Sequence, residues 1–501
     1  MNGAPGPSLP PIGSIPGYAQ AEQLRRAGRY AEAARAFQTL WRRFPKDWRL
    51  AHLAGHCALI AGQPAQALPL LKSSLMLNPG VNHARIDLAG ALRGLERYDQ
   101  ARAALDEAIR LNPGDRRALC AKGELCLFTG DRAGAADAAK ALFQSPPEDP
   151  SVATSMLKLS KLVDRRDDAI AWARGFLDAP APMPPRPRAE MLFALTSVLD
   201  ATGAYDEAFA AACEANALIR PPYDREEGER RMRRFMSAWT RDLLERAPHA
   251  AMPNENLVFI VGMPRSGTSL VDRILAAHPD VVPGGERVVI PTLAQQLAAR
   301  LQQEGVSPEQ APEALIRQDR LDELSAKLAA SLPPAARGAK RFTDKLPGNY
   351  QHLGFIQLIA PGARVVALKR DPRDVAISNF FHLFAHEMPN THDLRDLAWF
   401  QSSVDRSMDK WKRILRLPIL EVVYEELVAD LEGVSRKLIE FVGLEWDDAC
   451  LNFHTSERIV ATASNEQVRQ PIYTSSLARW KRYERHLTPF TQTLAQYTES
   501  F

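Results

Sequence analysis

Ala33, Ala67, Ala101, Ala135 and Ala169 recur at intervals of 34 residues, and Pro45, Pro79, Pro113 and Pro147 keep the same step in the same register. Two independent columns with one period mean that each period is one supersecondary unit, unable to bury its apolar face alone and obliged to stack on the next. A third column holds Gly28, Gly62 and Gly130 with Glu96 interrupting it, and a fourth runs through Phe37, Leu71, Leu105, Ala139 and Ala173. Alanine lets two helices cross closely, the larger apolar residue one turn later fills the seam, and proline stops the second helix. The spacing therefore predicts a helix pair per period, with LNPG at Leu77 to Gly80 and again at Leu111 to Gly114 marking two of the stops. After Ala169 the phase slips. The next matching alanine, Ala208, comes 39 residues later, so the Pro-rich APAPMPPRPR around Pro182 reads as an inserted loop.

This pattern resembles the tetratricopeptide repeat over residues 17–222. The resemblance implies an all-α array that offers either a concave surface for a peptide or protein, or a spacer docked on the rest of the chain. Residues 1–16, rich in Pro and Gly, read as a disordered tail. A chain of 501 residues is too long for one ordinary core, so at least two are expected. Hydrophobic content of 46% with 25% charged residues is that of a soluble globular protein, and net +3 is too near balance for bulk attraction to nucleic acid or to a membrane. The five cysteines, Cys57, Cys120, Cys126, Cys213 and Cys450, are scattered without a CxxC pair and read as reduced thiols. MNGAPGPSLPPIGSIPGYAQ lacks the basic start and apolar run of a signal peptide, and no later stretch reaches membrane-spanning length, so the cytoplasm is expected.

Tyr223 to Ala247 reads as one connector helix with Met232, Phe235, Met236 and Trp239 on a stripe, closed by Pro248 and Pro253. Its arginines are mixed with Glu226, Glu227 and Glu229, which argues against a nucleic-acid contact. Residues 223–253 thus separate the array from a second domain, residues 254–501.

That domain opens with VFIVGMPRSGTSLVDRIL, Val258 to Leu275. The apolar run predicts a buried parallel strand and SLVDRILAAHP an amphipathic helix, with a glycine loop between them. Such a loop and the positive end of its helix make an anion cradle. Gly262 and Gly267 keep the Walker spacing, yet Thr268 stands where ATP and GTP sites carry lysine. The loop's cation is Arg265, a planar fork suited to an oxyanion, and Ser266, Thr268 and Ser269 add hydroxyl donors. A phosphosulfate suits this cradle better than a magnesium nucleotide, and the missing lysine argues against a nucleotide kinase. GMPRSGTSL resembles the 5'-phosphosulfate loop of sulfotransferases that use 3'-phosphoadenosine 5'-phosphosulfate (PAPS). In ARVVALKRDPRDVAIS, Ala363 to Ser378, a second strand runs into a helix, with Arg370 at the strand end and Pro372 in the first helical turn. Arg370 and Ser378, eight apart, match that family's 3'-phosphate motif. The fold implied is an all-α repeat (TPR-like) array followed by an α/β P-loop-type domain with a central parallel sheet.

Within this resemblance, Glu286 in AAHPDVVPGGE occupies the place of the catalytic base of the protein-tyrosine sulfotransferase branch. Lys345, in TDKLPGNY, is read in a polar turn between helical stretches and matches a lysine that contacts the leaving phosphate. Ser464 matches a serine that stabilises the transition state. The catalytic set implied is Glu286, Arg265, Lys345 and Ser464. The donor-binding set is Arg265, Ser266, Gly267, Thr268, Ser269, Arg370, Ser378, Tyr424, Arg479 and Trp480, with Tyr424 beside the adenine or 3'-phosphate, and Arg479 and Trp480 closing over the nucleotide. Lys481, Arg482 and Arg485 follow as a basic cluster, for phosphate or for solvent.

The match departs from the branch at His382, where those enzymes carry another 3'-phosphate arginine, which implies a weaker or pH-dependent contact. It departs again in lacking their membrane anchor and cysteine pairs. His382, His386 and His392 lack metal-ligand spacing, and no metal is expected. The acceptor is a protein or peptide tyrosine held by the array, or else a glycan, lipid or small-molecule hydroxyl. A repeat scaffold with an inactive sulfotransferase domain is the reading from another class. Product release would yield adenosine 3',5'-bisphosphate. The oligomeric state is not legible.

Overall fold

The 34-residue period becomes five helix pairs in a computed structural model, which describes residues 9–180, 182–307, 311–384, 388–455 and 476–499. The pairs are α1 (Tyr18–Arg26) with α2 (Tyr30–Arg43), α3 (Trp48–Ile60) with α4 (Pro64–Leu77), α5 (Asn82–Gly94) with α6 (Tyr98–Leu111), α7 (Arg116–Thr129) with α8 (Arg132–Leu142), and α9 (Pro150–Leu159) with α10 (Arg166–Leu177). The alanine column is buried throughout, 0% exposed at Ala33, Ala67, Ala101 and Ala135 and 1% at Ala169, as a close crossing requires. Phe37, Leu71 and Leu105 fill the seams. The LNPG stops fall where expected, α4 ending at Leu77 and α6 at Leu111.

Glu96 does not break the glycine column in conformation. Gly28, Gly62 and Gly130 have φ of 73°, 71° and 85°, and Glu96 and Asp164 adopt 58° and 53° at the equivalent positions. Each residue reverses the chain between the two helices of a pair in the left-handed region, where glycine pays no Cβ penalty.

Two compact units emerge, Met1–Pro182 and Met183–Phe501. The helix pair α11 (Pro185–Thr202) and α12 (Tyr205–Ile219), which contains Ala208, therefore belongs to the second unit. Part of the Pro-rich run read as an inserted loop is helix: Pro185 opens α11, where the first-turn positions need no amide donor. The connector is also two helices rather than one, α13 (Arg225–Ala238) and α14 (Arg241–Arg246). Trp239 leaves the helix at ψ 103°, and the Thr240 hydroxyl restarts it by accepting from the Leu243 amide at 3.1 Å. Phe235 and Trp239 both pack edge-on against Trp411, at 5.1 and 5.9 Å between ring centroids.

The rest of the second unit runs β1 (Leu257–Gly262), α15 (Thr268–Ala277), β2 (Val281–Pro283), α16 (Val289–Gln303), α17 (Ala311–Leu315), α18 (Gln318–Ala330), β3 (Arg341–Asp344), α19 (Leu353–Ile359), β4 (Arg364–Lys369), α20 (Pro372–Phe380), α21 (Leu394–Ile414), β5 (Ile419–Val423), α22 (Tyr424–Ala429), α23 (Leu431–Phe441) and α24 (Thr488–Glu499). The five strands form one wholly parallel sheet in the order β2-β3-β1-β4-β5. Every residue of β1 is buried, as befits a central strand covered by helices on both faces. One core packs Ile260, Val271, Ile274 and Val366 against Leu438, Ile439 and Phe453. No described helix is long and apolar enough to cross a membrane.

Candidate active site

Because all five strands are parallel, their C-terminal ends share one edge of the sheet, where open α/β sheets bind ligands. In spatial order this edge carries Glu286 beyond β2, Lys345 after β3, the 263–267 loop after β1, Arg370 after β4 and Tyr424 after β5. At about 4.8 Å between neighbouring strands the row spans about 19 Å.

The loop after β1 turns into α15 through Gly267, which has φ 108° and no room for a side chain: a Cβ there would lie 2.5 Å from the Tyr424 ring. Arg265 itself sits in the left-handed region at φ 68°, a conformation that costs an ordinary residue about 1 kcal/mol or more. Neighbouring elements hold it there. Arg370 Nη1 donates to the Arg265 carbonyl at 3.1 Å, Asn379 Nδ2 donates to the Pro264 carbonyl at 2.9 Å, and Arg265 Nε donates to Ser378 Oγ at 3.0 Å. The two motifs recognised separately in the sequence are thus in direct contact.

Arg370 lies over the Tyr424 ring at 4.4 Å, and its Nη2 donates to the Ser476 carbonyl at 2.8 Å. The Tyr424 hydroxyl pairs with Ser476 Oγ at 3.0 Å. Two buried polar atoms here, Ser266 Oγ and Arg370 Nε, have no hydrogen-bond partner among the described residues. Buried orphans of this kind are costly, and an anionic ligand accepting from both would relieve the cost.

Lys345 departs from its expected setting. It follows β3 directly instead of sitting in a polar turn between helices, and it is 0% exposed. Its ammonium pairs with Glu286, whose side chain is 41% exposed. The Lys345 amide donates to the Gly285 carbonyl at 2.9 Å, so the backbone fixes the same two segments together. The short strand RFTD hides from a periodicity reading because Arg341 and Asp344 are charged. Burial of a lysine is tolerable only because a carboxylate meets it.

Three acids that sequence reasoning missed support this site. Asp272 on α15 is buried and accepts from Thr343 Oγ1 at 2.6 Å, tying the helix after the loop to β3. Burial pushes the Asp344 carboxyl up to about 7, against the pull of Arg287 and a hydrogen bond from Asn349. Asp374 on α20 accepts from the amides of Ala478 and Trp480 at 2.9 and 2.8 Å and so docks the 478–480 segment. LVDR, TDK and RDPRD display these acids, but no local pattern marks them as buried.

Trp480 lies beneath Arg373, whose guanidinium carbon is 3.5 Å from the ring centroid. Arg479 is engaged with Asp200 on α11 at 3.0 Å, and Tyr483 donates to the same carboxylate at 2.5 Å. His382 is half-buried near Arg265, and desolvation first, then that positive charge, pushes its imidazole down to about 3. Ser464 and His386 lie outside the described residues. All five cysteines are free, four of them buried, and burial pushes the Cys57, Cys120 and Cys450 thiols up to about 11.

Residues 257–448 match the model of the sulfotransferase family, and residues 18–81 and 58–125 match tetratricopeptide repeat models. An uncharacterized protein of Aquifex aeolicus (strain VF5) is 35% identical over 341 residues, 66% of this chain and 44% of its own length. Protein-tyrosine sulfotransferase A of Caenorhabditis elegans is 26% identical over 241 residues, 44% of this chain and 60% of its own. Protein-tyrosine sulfotransferase 1 of Danio rerio is 28% identical over 248 residues, 45% of this chain and 65% of its own. The chain thus spans less than two thirds of each of these relatives. The helix pairs, the parallel sheet and the matched segments together make this a chain of tetratricopeptide repeats joined to a domain of the sulfotransferase family.

Proposed function

We propose that the second unit transfers a sulfuryl group from PAPS to a tyrosine hydroxyl of a protein or peptide, with Glu286 as base. The observation that carries this reading is the row of strand ends: a carboxylate paired with a buried lysine, an arginine-bearing anion loop, and an arginine clamp braced on Tyr424, in that order. The protein-tyrosine sulfotransferases among the relatives support tyrosine as the acceptor.

The residues present fit the donor. Ser266, Gly267, Thr268 and Ser269 would hold its phosphosulfate end with Arg265, while Arg370, Ser378 and Tyr424 would hold the 3'-phosphate and adenine side, and Trp480 would cover it. PAPS supplies the activated sulfuryl group and departs as adenosine 3',5'-bisphosphate. Glu286, open to solvent on one side, takes the proton of the acceptor hydroxyl as that oxygen bonds sulfur. Lys345 and Arg265 hold the negative charge that gathers on the bond being broken, and Ser464 completes the set. Pre-positioned cations serve here because the transferred group needs no metal to neutralise it. The repeat array presents the acceptor, since such repeats generally mediate protein interactions, and reaction in the cytoplasm is consistent with thiols that stay unpaired.

The test is transfer of label from PAPS to tyrosine peptides, glycans and phenols, with Glu286→Ala beside the unmodified protein. Label on tyrosine that is lost in the variant supports the reading. Full-rate transfer by the variant removes Glu286 from the base role, and tight binding of magnesium ATP with indifference to adenosine 3',5'-bisphosphate overturns the donor.

A further inference from the structure

His52 and His56 stand one turn apart on α3, and Asp87 on α5, the first helix of the following repeat, faces both. His52 Nε2 lies 2.8 Å and His56 Nδ1 2.9 Å from the same oxygen, Asp87 Oδ2, and the three ligand atoms all fall within 4.8 Å of one another. His83, one turn before Asp87 on α5, meets the His52 ring edge-on at 4.5 Å between centroids. We propose that His52, His56 and Asp87 form a site for a divalent first-row transition cation, of which zinc is the reference case.

Residues four apart on a helix share a face, so the two imidazoles already converge without a change of backbone. A four-coordinate zinc with bonds of about 2.0–2.2 Å separates its ligand atoms by about 3.3 Å. The present nitrogen to oxygen distances need to open by only a few tenths of an ångström to admit it. Two neutral imidazoles and one carboxylate are a ligand set that suits zinc and its neighbours, whereas calcium and magnesium take oxygen ligands.

The site is also open enough to load. The side chains of His52, His56 and Asp87 are 12%, 33% and 18% exposed, which leaves a coordination position for water or for a donor atom of a bound chain. Three protein ligands with one open position are the pattern of sites that engage a further molecule, as distinct from closed structural sites. A cation held there would bind α3 to α5 and so stiffen the step between two repeats. Asp87 is 31 and 35 residues from the two histidines, about one repeat period, so the i, i+4 histidine pair in the sequence does not announce the third ligand.

The test titrates zinc into the full chain after removal of metal with a chelator, by calorimetry, and repeats the titration with cobalt, whose visible absorption reports coordination geometry. Two variants accompany it: His52→Ala with His56→Ala, and Asp87→Asn, which keeps the shape of the carboxylate if the double substitution fails to fold. The expected result is one equivalent bound by the unmodified chain, a tetrahedral cobalt spectrum, and a rise in melting temperature with zinc. In each folded variant that equivalent should weaken by at least the about tenfold that loss of a mere outer-shell partner costs. Absence of zinc binding by the unmodified chain overturns the proposal, as does binding that both variants retain at the same affinity.

Discussion

Arg265 Nε donates to Ser378 Oγ at 3.0 Å, joining the loop after β1 to the helix after β4 across 113 residues. A hydroxyl has one proton and two lone pairs. This contact uses a lone pair and keeps the Ser378 proton as a donor, so under the proposed function one residue would both brace the loop and address a ligand oxygen. Ser378→Ala should weaken adenosine 3',5'-bisphosphate by about 1–3 kcal/mol, the range for a hydrogen bond to a charged group. Calorimetry on the two proteins checks it, and unchanged affinity would separate Ser378 from the donor site.

Lys345 and Glu286 should respond differently to removal. Glu286→Gln deletes the proposed base and should lower label transfer by about 10²–10⁴-fold. Lys345→Met removes a charge from a fully buried position, so the rate should fall while the melting temperature is kept or raised. A Lys345→Met protein that melts much earlier than the unmodified chain would mean that the ion pair holds the fold rather than the chemistry.

Asp344 and His382 should bend the pH dependence of stability in opposite senses. The folded Asp344 carboxyl, at about 7 against an ordinary 3.8, keeps a proton that the unfolded chain has released, so its contribution to stability falls as pH rises from about 4 to 7. Folded His382, at about 3 against 6.5, refuses a proton that the unfolded chain accepts, so its contribution falls as pH drops from about 6.5 to 3. Relative to the unmodified chain, Asp344→Asn should gain stability at pH 8 and little at pH 4. His382→Gln should gain at pH 4 and little at pH 8. Denaturant melts at the two pH values decide both, and a gain that is larger at the same pH for both variants would contradict the burial argument.

Glu96 holds a left-handed conformation at φ 58° that its neighbours in the repeat give to glycine. Relief of that strain exceeds the extra flexibility glycine brings to the unfolded chain, so Glu96→Gly should stabilise the protein by about 0.5–1 kcal/mol. Thermal melting of the single variant measures it. A loss of stability would show that the Glu96 side chain contributes more than its backbone costs.

Most of the architecture is legible without coordinates because its signals are local. A 34-residue step in alanine and proline announces stacked helix pairs, an apolar run with a glycine turn announces strand, loop and helix, and the stretch from Ala363 to Ser378 announces a second strand that runs into a helix. Where the reading failed, the determinant was a distant partner. Charged residues hid the strand before Lys345, and the burial of Lys345 depends on Glu286 and on backbone pairing to Gly285. Nothing near Trp239 announces the break in the connector, which Trp411 makes worthwhile by packing on Phe235 and Trp239.

The sequence by itself determined the repeat, the glycine-loop geometry after β1 and the identities of the residues at the sheet edge, because φ demands, helix stops and apolar periodicity act within a few residues. Only the tertiary structure decided which charges are buried, as in Asp272, Asp344 and Lys345, and which side chains meet across a repeat, as in His52, His56 and Asp87. The physical reason is that desolvation and pairing energies depend on what the fold brings alongside a charge, and that neighbour is rarely a neighbour in the chain.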